Sequence, residues 1–406
     1  MNKQITNYKH QIKLKLIRSL PTNLKEIEPD IVRNIIRKIT ESIVKNKLDF
    51  NEKEELFESI SSEILGHGPI DSLLKDPLIT EIMINGCNQI YAEKKGKLSL
   101  TAINFYNNDQ LLSFVDKILS SAGRRVTELE PFVDARLSDG SRINVVRPPI
   151  SVIPIVTIRK FNFHTLNIQE LIQLNTLNSQ ISSFLAACVK EQINIIISGG
   201  TGSGKTTLLN TLGCFIPKDE RVVIVENTRE LHLEHPHVVS LECRPPSIDG
   251  KGEITLRQLV KNSLHMRPNR IILGEVRGEE ALDVIQAMNT GQQGSLCTIH
   301  SNSCIDSLER LQVLTLLGNS NISSEVAMKQ TILAIDLIVQ MARLKNGERK
   351  IMEVAEVTKN NASIFTLRRI FVREGEKIIY TGTPPSFYNK LKLDGYTNPL
   401  FENNKK

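Results

Sequence analysis

The eight residues GGTGSGKT, at positions 199–206, constrain the fold more than any other stretch of this 406-residue chain. They follow the apolar run INIIIS and precede TTLLNTLG, whose pattern is typical of a helix. Closely spaced glycines let the backbone curl until successive N–H groups point at one spot, and the following helix adds the positive end of its dipole. The stretch therefore predicts a strand, a phosphate-binding loop and a helix in that order, as in α/β folds.

The same loop predicts which groups bind a nucleotide. Lys205 is expected to reach the β- and γ-phosphates of ATP, and the Thr206 hydroxyl is expected to ligate Mg²⁺. The predicted ATP-binding residues are Gly200, Thr201, Gly202, Ser203, Gly204, Lys205, Thr206 and Thr207. The alternative is a glycine-rich turn with an incidental lysine, and the strand and helix patterns on either side argue against it.

Four apolar segments have the pattern of a parallel sheet. They cover residues 193–198, 221–227, 270–275 and 295–300, and they alternate with helical segments. Near-continuous runs of Val, Ile and Leu are typical of strands that helices cover on both faces. The chain upstream, from about residue 69 to 149, has shorter strand patterns and one helix pattern, NDQLLSFVDKILSSAG, which indicate a compact α+β domain.

The ends of two apolar segments carry acids that suit phosphate chemistry. Glu275, at the end of RIILGE, is the candidate general base that orients the attacking water, and the alternative is an ordinary acid paired with Arg277. Gly274 stands where an aspartate usually holds the water shell of the metal. Glu226 and Glu230, in VIVENTREL, are expected to fill that gap as catalytic acids, with Glu226 also a metal ligand. Acids also cap helices that follow strands, which is the alternative for both.

One histidine, His300, ends the fourth apolar segment within NTGQQGSLCTIHSN. The stretch by itself is compatible with a packed core histidine, a metal ligand or a sensor of a bound group. A neutral imidazole beside ATP can change its hydrogen-bond partner when the γ-phosphate leaves. Because the chain has a phosphate loop, we treat His300 as a candidate catalytic residue.

Four stretches together resemble the signatures of the type II/type IV secretion ATPase superfamily, and most closely those of its tight-adherence (Flp) pilus-assembly branch. They are the Walker A stretch GGTGSGKT, the Asp box RVVIVENTREL, the Walker B stretch MRPNRIILGEVRGEEALDVIQAMNTG and the His box GQQGSLCTIHSN. Upstream, LGHGPIDSLLKDPLITEIMINGCNQIYAE and GRRVTELEPFVDARLSDGSRINVVRPP resemble the N-terminal domain of the family. Asn227 departs from the pattern, since the Asp box usually has an aspartate there. An amide cannot neutralise a metal ion, although it can hold a water molecule by a hydrogen bond, so the direct role of position 227 stays open and slow turnover is an alternative.

The resemblance implies a homo-hexameric, Mg²⁺-dependent ATPase that drives pilin assembly through polytopic inner-membrane platform proteins. It also implies a RecA-like P-loop motor domain, preceded by a small PAS-like α+β sensing domain. His300 matches the family's His-box histidine, which lies near the γ-phosphate and relays nucleotide state between domains.

Hydrolysis across a subunit boundary commonly needs an arginine from elsewhere to meet the developing charge, and the planar guanidinium suits phosphate oxygens. The candidates are Arg136, Arg142, Arg147 and Arg159.

These patterns divide the chain into five regions. Residues 1–65 are predicted to form a basic helical region, with helix patterns at 30–47 and 52–65. They are followed by an α+β sensing domain at 66–149 and a linker at 150–175. The RecA-like ATPase domain covers 176–345, and C-terminal strands with an irregular tail cover 346–406. The first 50 residues hold eleven Lys and Arg against five Asp and Glu, which accounts for the net charge of +6 of the whole chain. This basic arm predicts contact with anionic lipid or with an acidic partner, or else a solvated helix face.

Composition argues against other classes of protein. Aromatic residues make up 5% of the chain and tryptophan is absent, so no nucleic-acid partner is expected. The six cysteines include no C-x-x-C pair, which argues against a zinc ribbon. The sequence has neither a membrane-spanning apolar run nor a secretory signal pattern, and it predicts a cytoplasmic protein that associates peripherally with the inner membrane.

Two functions other than an ATP-driven motor remain open from the sequence. One is a nucleotide-gated scaffold with little turnover, which Asn227 and Gly274 suggest. The other is a nucleic-acid translocase built on the same core. The excess positive charge lies outside the ATPase region, which argues against this function.

Overall fold

The chain divides into two compact units, Met1–Asn162 and Phe163–Lys406. The computed structural model describes residues 8–9, 11–12, 14–16, 19, 29–45, 47–65, 68–94, 96–137, 139–161, 166–246, 250–319, 321–358, 366–393 and 395–402. Every helix within these ranges is too short or too polar to cross a lipid bilayer.

Two long helices form the first part of the N-terminal unit. They are α1, Pro29–Val44, and α2, Phe50–Leu65, and they confirm the helices predicted at 30–47 and 52–65. Val32 and Ile36 of α1 share one face of that helix and are buried in a cluster with Leu56 and Ile60 of α2. The two helices thus have a small apolar core of their own.

An antiparallel sheet of six strands forms the rest of this unit. The strands are β1 Ile79–Asn85, β2 Ile90–Lys94, β3 Lys97–Leu100, β4 Phe132–Arg136, β5 Arg142–Val146 and β6 Ile155–Arg159, in the order β3-β2-β1-β6-β5-β4. The helical segments are a 3₁₀ turn at Gly68–Ile70, α3 Asp71–Lys75 and α4 Asn108–Ser121. Ile143 and Val145 of β5 are buried with Leu111 and Val115 of α4, so this helix covers one face of the sheet.

The structure differs from the predicted linker, residues 150–175, over the strand β6. This strand pairs with both β1 and β5, and Val156 and Ile158, which alternate with less buried residues, face the core. The passage between the two units lies near residue 162, inside the predicted linker. The division into five regions otherwise stays a prediction.

A sheet of nine strands forms the centre of the C-terminal unit. The strands are β7 Ile195–Gly199, β8 Val222–Glu226, β9 Val238–Glu242, β10 Arg270–Val276, β11 Leu296–Ile299, β12 Leu337–Arg343, β13 Arg349–Thr358, β14 Thr366–Glu374 and β15 Lys377–Tyr380. Their order is β15-β14-β13-β12-β7-β11-β10-β8-β9, with β12 to β9 parallel and β13 to β15 antiparallel. The four predicted strands and the α/β fold are confirmed.

Helices cover both faces of this sheet. They are α5 Ile168–Gln173, α6 Ser179–Lys190, α7 Lys205–Gly213, α8 Leu256–Leu264, α9 Glu280–Asn289, α10 Cys304–Gly318, α11 Ser324–Ala334, α12 Tyr388–Leu393 and α13 Pro399–Glu402. Ile195 and Ile197 of β7 are buried in one apolar cluster with α6 and α7, and Ile196 is buried in a second cluster with α9 and α10. Burial on both faces explains why β7 reads as an unbroken apolar run.

The C-terminal segment, predicted as strands and an irregular tail, ends in helices. Phe401 of α13 packs against Tyr388 of α12 and against Phe184 of α6, with ring centroids 5.1 and 5.7 Å apart. Aromatic burial therefore orders this segment against the same core.

Candidate nucleotide site

The strand order brings the predicted acids and the histidine to the edge where the phosphate loop begins. β7 ends at Gly199, and its neighbour β11 ends directly before His300. β10, which carries Glu275, pairs with β11, and β8, which ends at Glu226, pairs with β10. These four strands are parallel, so their carboxyl ends share one edge, which is where open α/β sheets bind ligands.

Glycines shape the phosphate loop. Gly202 and Gly204 have φ angles of +69° and +95°, which glycine adopts without the strain of a side chain. A Cβ atom at Gly199 would lie 2.5 Å from a carbonyl oxygen of β12. Lys205 begins α7, and its Nζ donates to the carbonyl oxygens of Gly199 and Gly200, each at 2.9 Å. The lysine thus lies folded across the loop, at the N-terminal end of a helix.

Lys205 shares its electrostatic surroundings with the predicted acids. The side chain is buried, and burial lowers the pKa of its ammonium group. Glu275 and Glu230 oppose this decrease in pKa, whereas Arg277 adds to it. A bound phosphate would supply the negative charge that stabilises a buried ammonium group.

Glu275 lies between a histidine and an arginine. Its Oε1 atom is 3.1 Å from Nε2 of His300, and its Oε2 atom accepts a hydrogen bond of 2.6 Å from Arg277. Burial lowers the pKa of His300, and the charges of Lys205 and Arg277 lower it further, against the opposing effect of Glu275. The lowered pKa favours the neutral form of the imidazole. The ion pair with Arg277, the alternative given by the sequence, is present, whereas the role of Glu275 as a general base stays a prediction.

A β-bulge determines where Glu275 points. Within the β10–β11 ladder, Gly274 and Glu275 together oppose the single residue Thr298. The Thr298 hydroxyl donates to the carbonyl oxygen of Gly274 at 2.6 Å. An extra residue in one strand redirects the side chains that follow it. Gly274, interpreted from the sequence as a missing aspartate, is thus one of two residues in the bulge that orients Glu275.

Glu226 is buried under this edge, with 3% of its surface exposed. Its Oε1 atom accepts hydrogen bonds from the backbone N–H groups of Glu230 and Leu231, at 2.9 and 3.0 Å. A Cβ atom at Gly274 would lie 2.9 Å from Cγ of Glu226, so the glycine leaves room for this side chain. Burial raises the pKa of Glu226 to about 7. The carboxyl group is therefore only partly ionised at neutral pH.

The residues at this edge fit Mg²⁺ as an ion shared with a nucleotide. Within the described ranges, no group of three or more His, Cys, Asp or Glu side chains could hold a metal ion. Mg²⁺ commonly binds one or two protein groups together with substrate phosphates and water. Thr206 is half-buried in the first turn of α7, and Oε2 of Glu226 is buried without a hydrogen-bond partner among the described residues. Asn227 is exposed and accepts a hydrogen bond from the Cys243 thiol.

Three of the predicted arginines form one row on the N-terminal sheet. Arg136 of β4 is directly opposite Arg142 of β5, which is opposite Arg159 of β6. Register partners point to the same face of a sheet, here the face away from α4. Glu81 of β1 continues the row next to Arg159. Like charges on neighbouring strands repel one another, and an anion bound across the row would offset that repulsion.

Arg147, the fourth candidate, is not in this row. Its Nη1 atom donates to the carbonyl oxygen of Val126 at 3.3 Å, within the N-terminal unit. Arg147 thus contacts the backbone of its own unit and is not part of the row of three arginines.

Three serine hydroxyls connect the strand of the phosphate loop to the strand of the histidine, and sequence analysis did not identify them. The Oγ atoms of Ser198, Ser301 and Ser307 lie 2.8 Å from one another. Ser198 precedes Gly199, and Ser301 follows His300. Their places next to two motifs were the signal available in the sequence, but serines near loops are too common for that signal to single them out.

The chain is similar to known secretion proteins over most of its length. The family model of the type II/IV secretion system proteins matches residues 63–374. A putative conjugal transfer protein of Mycobacterium tuberculosis is 30% identical over 303 residues, which cover 73% of this chain and 86% of that protein. The type IV secretion system protein VirB11 of Bartonella quintana is 30% identical over 328 residues, 70% of this chain and 90% of that protein. The crystal structure of the pilus retraction motor PilT with bound ADP matches with a TM-score of 0.52 at 16% identity. The match covers 80% of this chain and 85% of that chain, and it shows that the two share a fold.

Proposed function

The chain belongs to the type II/IV secretion system ATPase family and is an ATPase, and on that premise we propose that it is a hexameric motor for the assembly of a tight-adherence (Flp) pilus or of a related secretion system. One observation carries this proposal. Glu275 and His300 are in contact beside the buried Lys205, at the sheet edge where the phosphate loop begins. A base, a neutral imidazole and a phosphate-binding lysine at one edge suit the hydrolysis of a terminal phosphate.

ATP binds through its phosphates in this proposal. The backbone N–H groups of Gly200–Thr207 and the N-terminal end of α7 surround the phosphate oxygens, and Lys205 moves from the loop carbonyls to the β- and γ-phosphates. Mg²⁺, held by Thr206 and Glu226 with the nucleotide, neutralises phosphate charge when bound. In this proposal the C-terminal unit is the RecA-like motor domain, and the N-terminal unit contains the PAS-like sensing domain.

Glu275 acts as the general base. Its carboxylate orients water and accepts its proton while the water oxygen attacks the γ-phosphorus, and the bond to the bridging oxygen breaks to leave ADP and inorganic phosphate. One oxygen of Glu275 must first be released from its partners. Arg277 is the partner that leaves most easily, because 55% of its side chain is exposed and exposed ion pairs contribute little stability. The charge of Glu230 acts on Lys205, and in this proposal the Glu230 carboxylate also adds negative charge near the bound Mg²⁺.

The arginine row and His300 act on the terminal phosphate. Arg136, Arg142 or Arg159, from a neighbouring subunit, meets the charge that develops as the bond breaks. His300 changes its partner between Glu275 and the γ-phosphate and so relays the nucleotide state. The observed row of three arginines and the neutral state of the imidazole support these roles.

The activities for which the relatives are named guide the proposed setting of the motor. They name conjugal transfer, type IV secretion and pilus retraction. We infer that this chain acts at the cytoplasmic face of an inner membrane on polytopic platform proteins, with contact between its basic N-terminal arm and anionic lipid. No nucleic-acid partner is part of the proposal.

Steady-state phosphate release by the purified protein tests this function. The wild-type chain should release phosphate in the presence of ATP and Mg²⁺, and Lys205→Ala should abolish the release because the phosphates lose their buried cation. Glu275→Gln should keep ATP affinity and retain ATP in the assembled protein, since the amide cannot accept the proton. Normal turnover by Glu275→Gln would refute the assignment of the base.

A nucleotide-gated scaffold is the second candidate. The exposed Asn227 in the Asp box and the hydrogen bond that ties Glu275 to Arg277 favour slow hydrolysis. Phosphate release that does not exceed the Lys205→Ala background, together with tight ATP binding, would support the scaffold over the motor.

A further inference from the structure

A pair of arginines that the site above does not use lies against the phosphate loop. The strands β12 and β13 form a hairpin in which Arg343 is directly opposite Arg349. The hairpin turns through residues 344–348, where Leu344 N–H donates to the Glu348 carbonyl oxygen at 2.8 Å. β12 also pairs with β7, the strand that leads into the loop. The base of this hairpin is therefore fixed next to the loop by the sheet itself.

Both arginines reach glycines of the loop. Arg349 donates from Nε to the carbonyl oxygen of Gly202 at 3.1 Å. A Cβ atom at Gly204 would lie 3.3 Å from Cδ of Arg349, and one at Gly202 would lie 3.4 Å from Nη1 of Arg343. The two side chains thus lie along the tip of the loop, from Gly202 to Gly204.

The hydrogen bond from Arg349 fixes one peptide of the loop. In a trans peptide the C=O and the following N–H point in opposite directions. With the Gly202 carbonyl held by the guanidinium, the N–H of Ser203 points to the opposite side, where it lies 3.3 Å from the Gly200 carbonyl oxygen inside the loop. Gly202, with φ +69°, has no side chain to restrict this peptide, so two hydrogen bonds hold its orientation, one from Arg349 and one within the loop to Gly200.

The charges of the pair also point to an anion. Like charges directly opposite one another on neighbouring strands destabilise a sheet. Arg343 and Arg349 occupy such positions, and both are exposed at the loop that should receive the phosphates. A polyphosphate in the loop would attract both guanidinium groups and so offset their mutual repulsion.

We propose that Arg343 and Arg349 form a basic clamp behind the phosphate loop, contributed by the same chain, which raises affinity for the phosphates of the nucleotide. Arg349 is a positioning residue that acts through the Gly202 carbonyl, and Arg343 adds charge beside it. The inference rests on the proposed nucleotide site. The clamp acts on binding rather than on the transition state, so its loss should raise KM for ATP and leave kcat nearly unchanged.

ADP affinity of the full-length protein, measured with a fluorescent ADP analogue, tests the clamp. Arg349→Ala should weaken binding by about tenfold, which corresponds to one charge-assisted hydrogen bond. Arg349→Lys should recover part of the affinity, and Arg349→Gln, which keeps a donor without the charge, should recover less at low salt. Lys345→Ala, which removes a charge from the turn of the same hairpin, is the matched control and should bind as the wild type does.

The outcomes separate this inference from the proposed function. If Arg349→Ala binds ADP as tightly as Lys345→Ala, the clamp is refuted while the nucleotide site stands. Absence of ADP binding by the wild-type chain would refute both. Should Arg349→Ala fail to fold, Arg343→Gln and Arg349→Lys provide the same comparison, and unchanged affinity in both would refute the clamp.

Discussion

The side chain of His300 is 31% exposed and lies among cations, Lys205, Arg277 and Arg310, that together with burial lower its pKa. A histidine that only filled the core would be buried, whereas this exposure leaves the ring accessible to a ligand. We expect His300→Ala to bind ATP within about twofold of the wild type but to lower kcat by at least about tenfold, because the terminal phosphate loses its responsive partner. ATP affinity and steady-state phosphate release check this expectation.

The control for His300 is His265→Ala, since His265 is exposed at the end of α8, directly before the Walker B stretch, and is not among the contacts described for Lys205, Glu275 and His300. It should change neither quantity. A large loss of thermal stability in His300→Ala, with normal turnover per folded molecule, would show that the histidine is structural.

The buried carboxyl of Glu226 makes the stability of the protein depend on pH. Its pKa is about 7 in the folded chain, against an ordinary value of 4.5. Between these two values the folded chain keeps a proton that the unfolded chain has lost, so the free energy of unfolding falls as pH rises through this window. Glu226→Gln cannot lose that proton, and its amide oxygen can accept the same two backbone hydrogen bonds.

Unfolding by urea at pH 5, 6, 7 and 8 tests the pKa shift of Glu226. The stability of the wild type relative to Glu226→Gln should decrease by up to about 3 kcal/mol across this range. A difference that stays constant with pH would mean that Glu226 is ionised throughout in the folded protein.

Local patterns in the sequence predict the strands and helices around the loop, but not the way they pair. The run INIIIS predicts β7 because both of its faces are buried. The neighbour of β7 on one side is β12, where Ile195 pairs with Leu337, and no local pattern connects residues so far apart. The motifs identify Glu275 and His300 one by one, whereas their contact depends on β11 lying between β7 and β10 and on the bulge at Gly274. Strand order and bulges are properties of the whole sheet, so the sequence cannot specify them locally.

The hydroxyl cluster of Ser198, Ser301 and Ser307 connects the strand of the loop, the histidine segment and α10. The Ser301 and Ser307 hydroxyls also lie 2.8 Å from the Ser303 carbonyl oxygen, and removal of one hydroxyl takes a hydrogen-bond partner from each of the other two. We expect Ser198→Ala or Ser307→Ala to lower the free energy of unfolding by about 1–2 kcal/mol. We also expect slower turnover, because His300 is then held less firmly beside the loop.

Ser113→Ala is the matched control for this cluster, because Ser113 is exposed on α4 and, among the described residues, its hydroxyl bonds to the backbone of its own helix at Asp109. Chemical unfolding and phosphate release should both be unchanged in it. If Ser307→Ala loses stability but keeps the turnover per folded molecule, the cluster is structural and does not position the histidine.

The arginine row and the phosphate loop belong to different units of the chain, and this division leads to a prediction about the assembled protein. In a closed ring of identical head-to-tail contacts, a site can combine the loop of one subunit with the arginines of the next. A variant with Arg136→Gln, Arg142→Gln and Arg159→Gln keeps its loop, whereas Lys205→Ala keeps its arginines. Each variant alone is expected to be inactive, because every site then lacks either the charge that meets the transition state or the lysine that binds the phosphates.

Mixing these two inactive variants distinguishes arginines that act between subunits from arginines that act within one chain. After subunits exchange in an equal mixture, about one quarter of the contacts join an intact loop to an intact arginine row, so phosphate release should return to about one quarter of the wild-type rate. Size-exclusion chromatography must show that both variants assemble as the wild type does. If the arginines act within their own chain, no site in the mixture is complete, because each chain lacks one of the two parts, and phosphate release stays at the level of the separate variants.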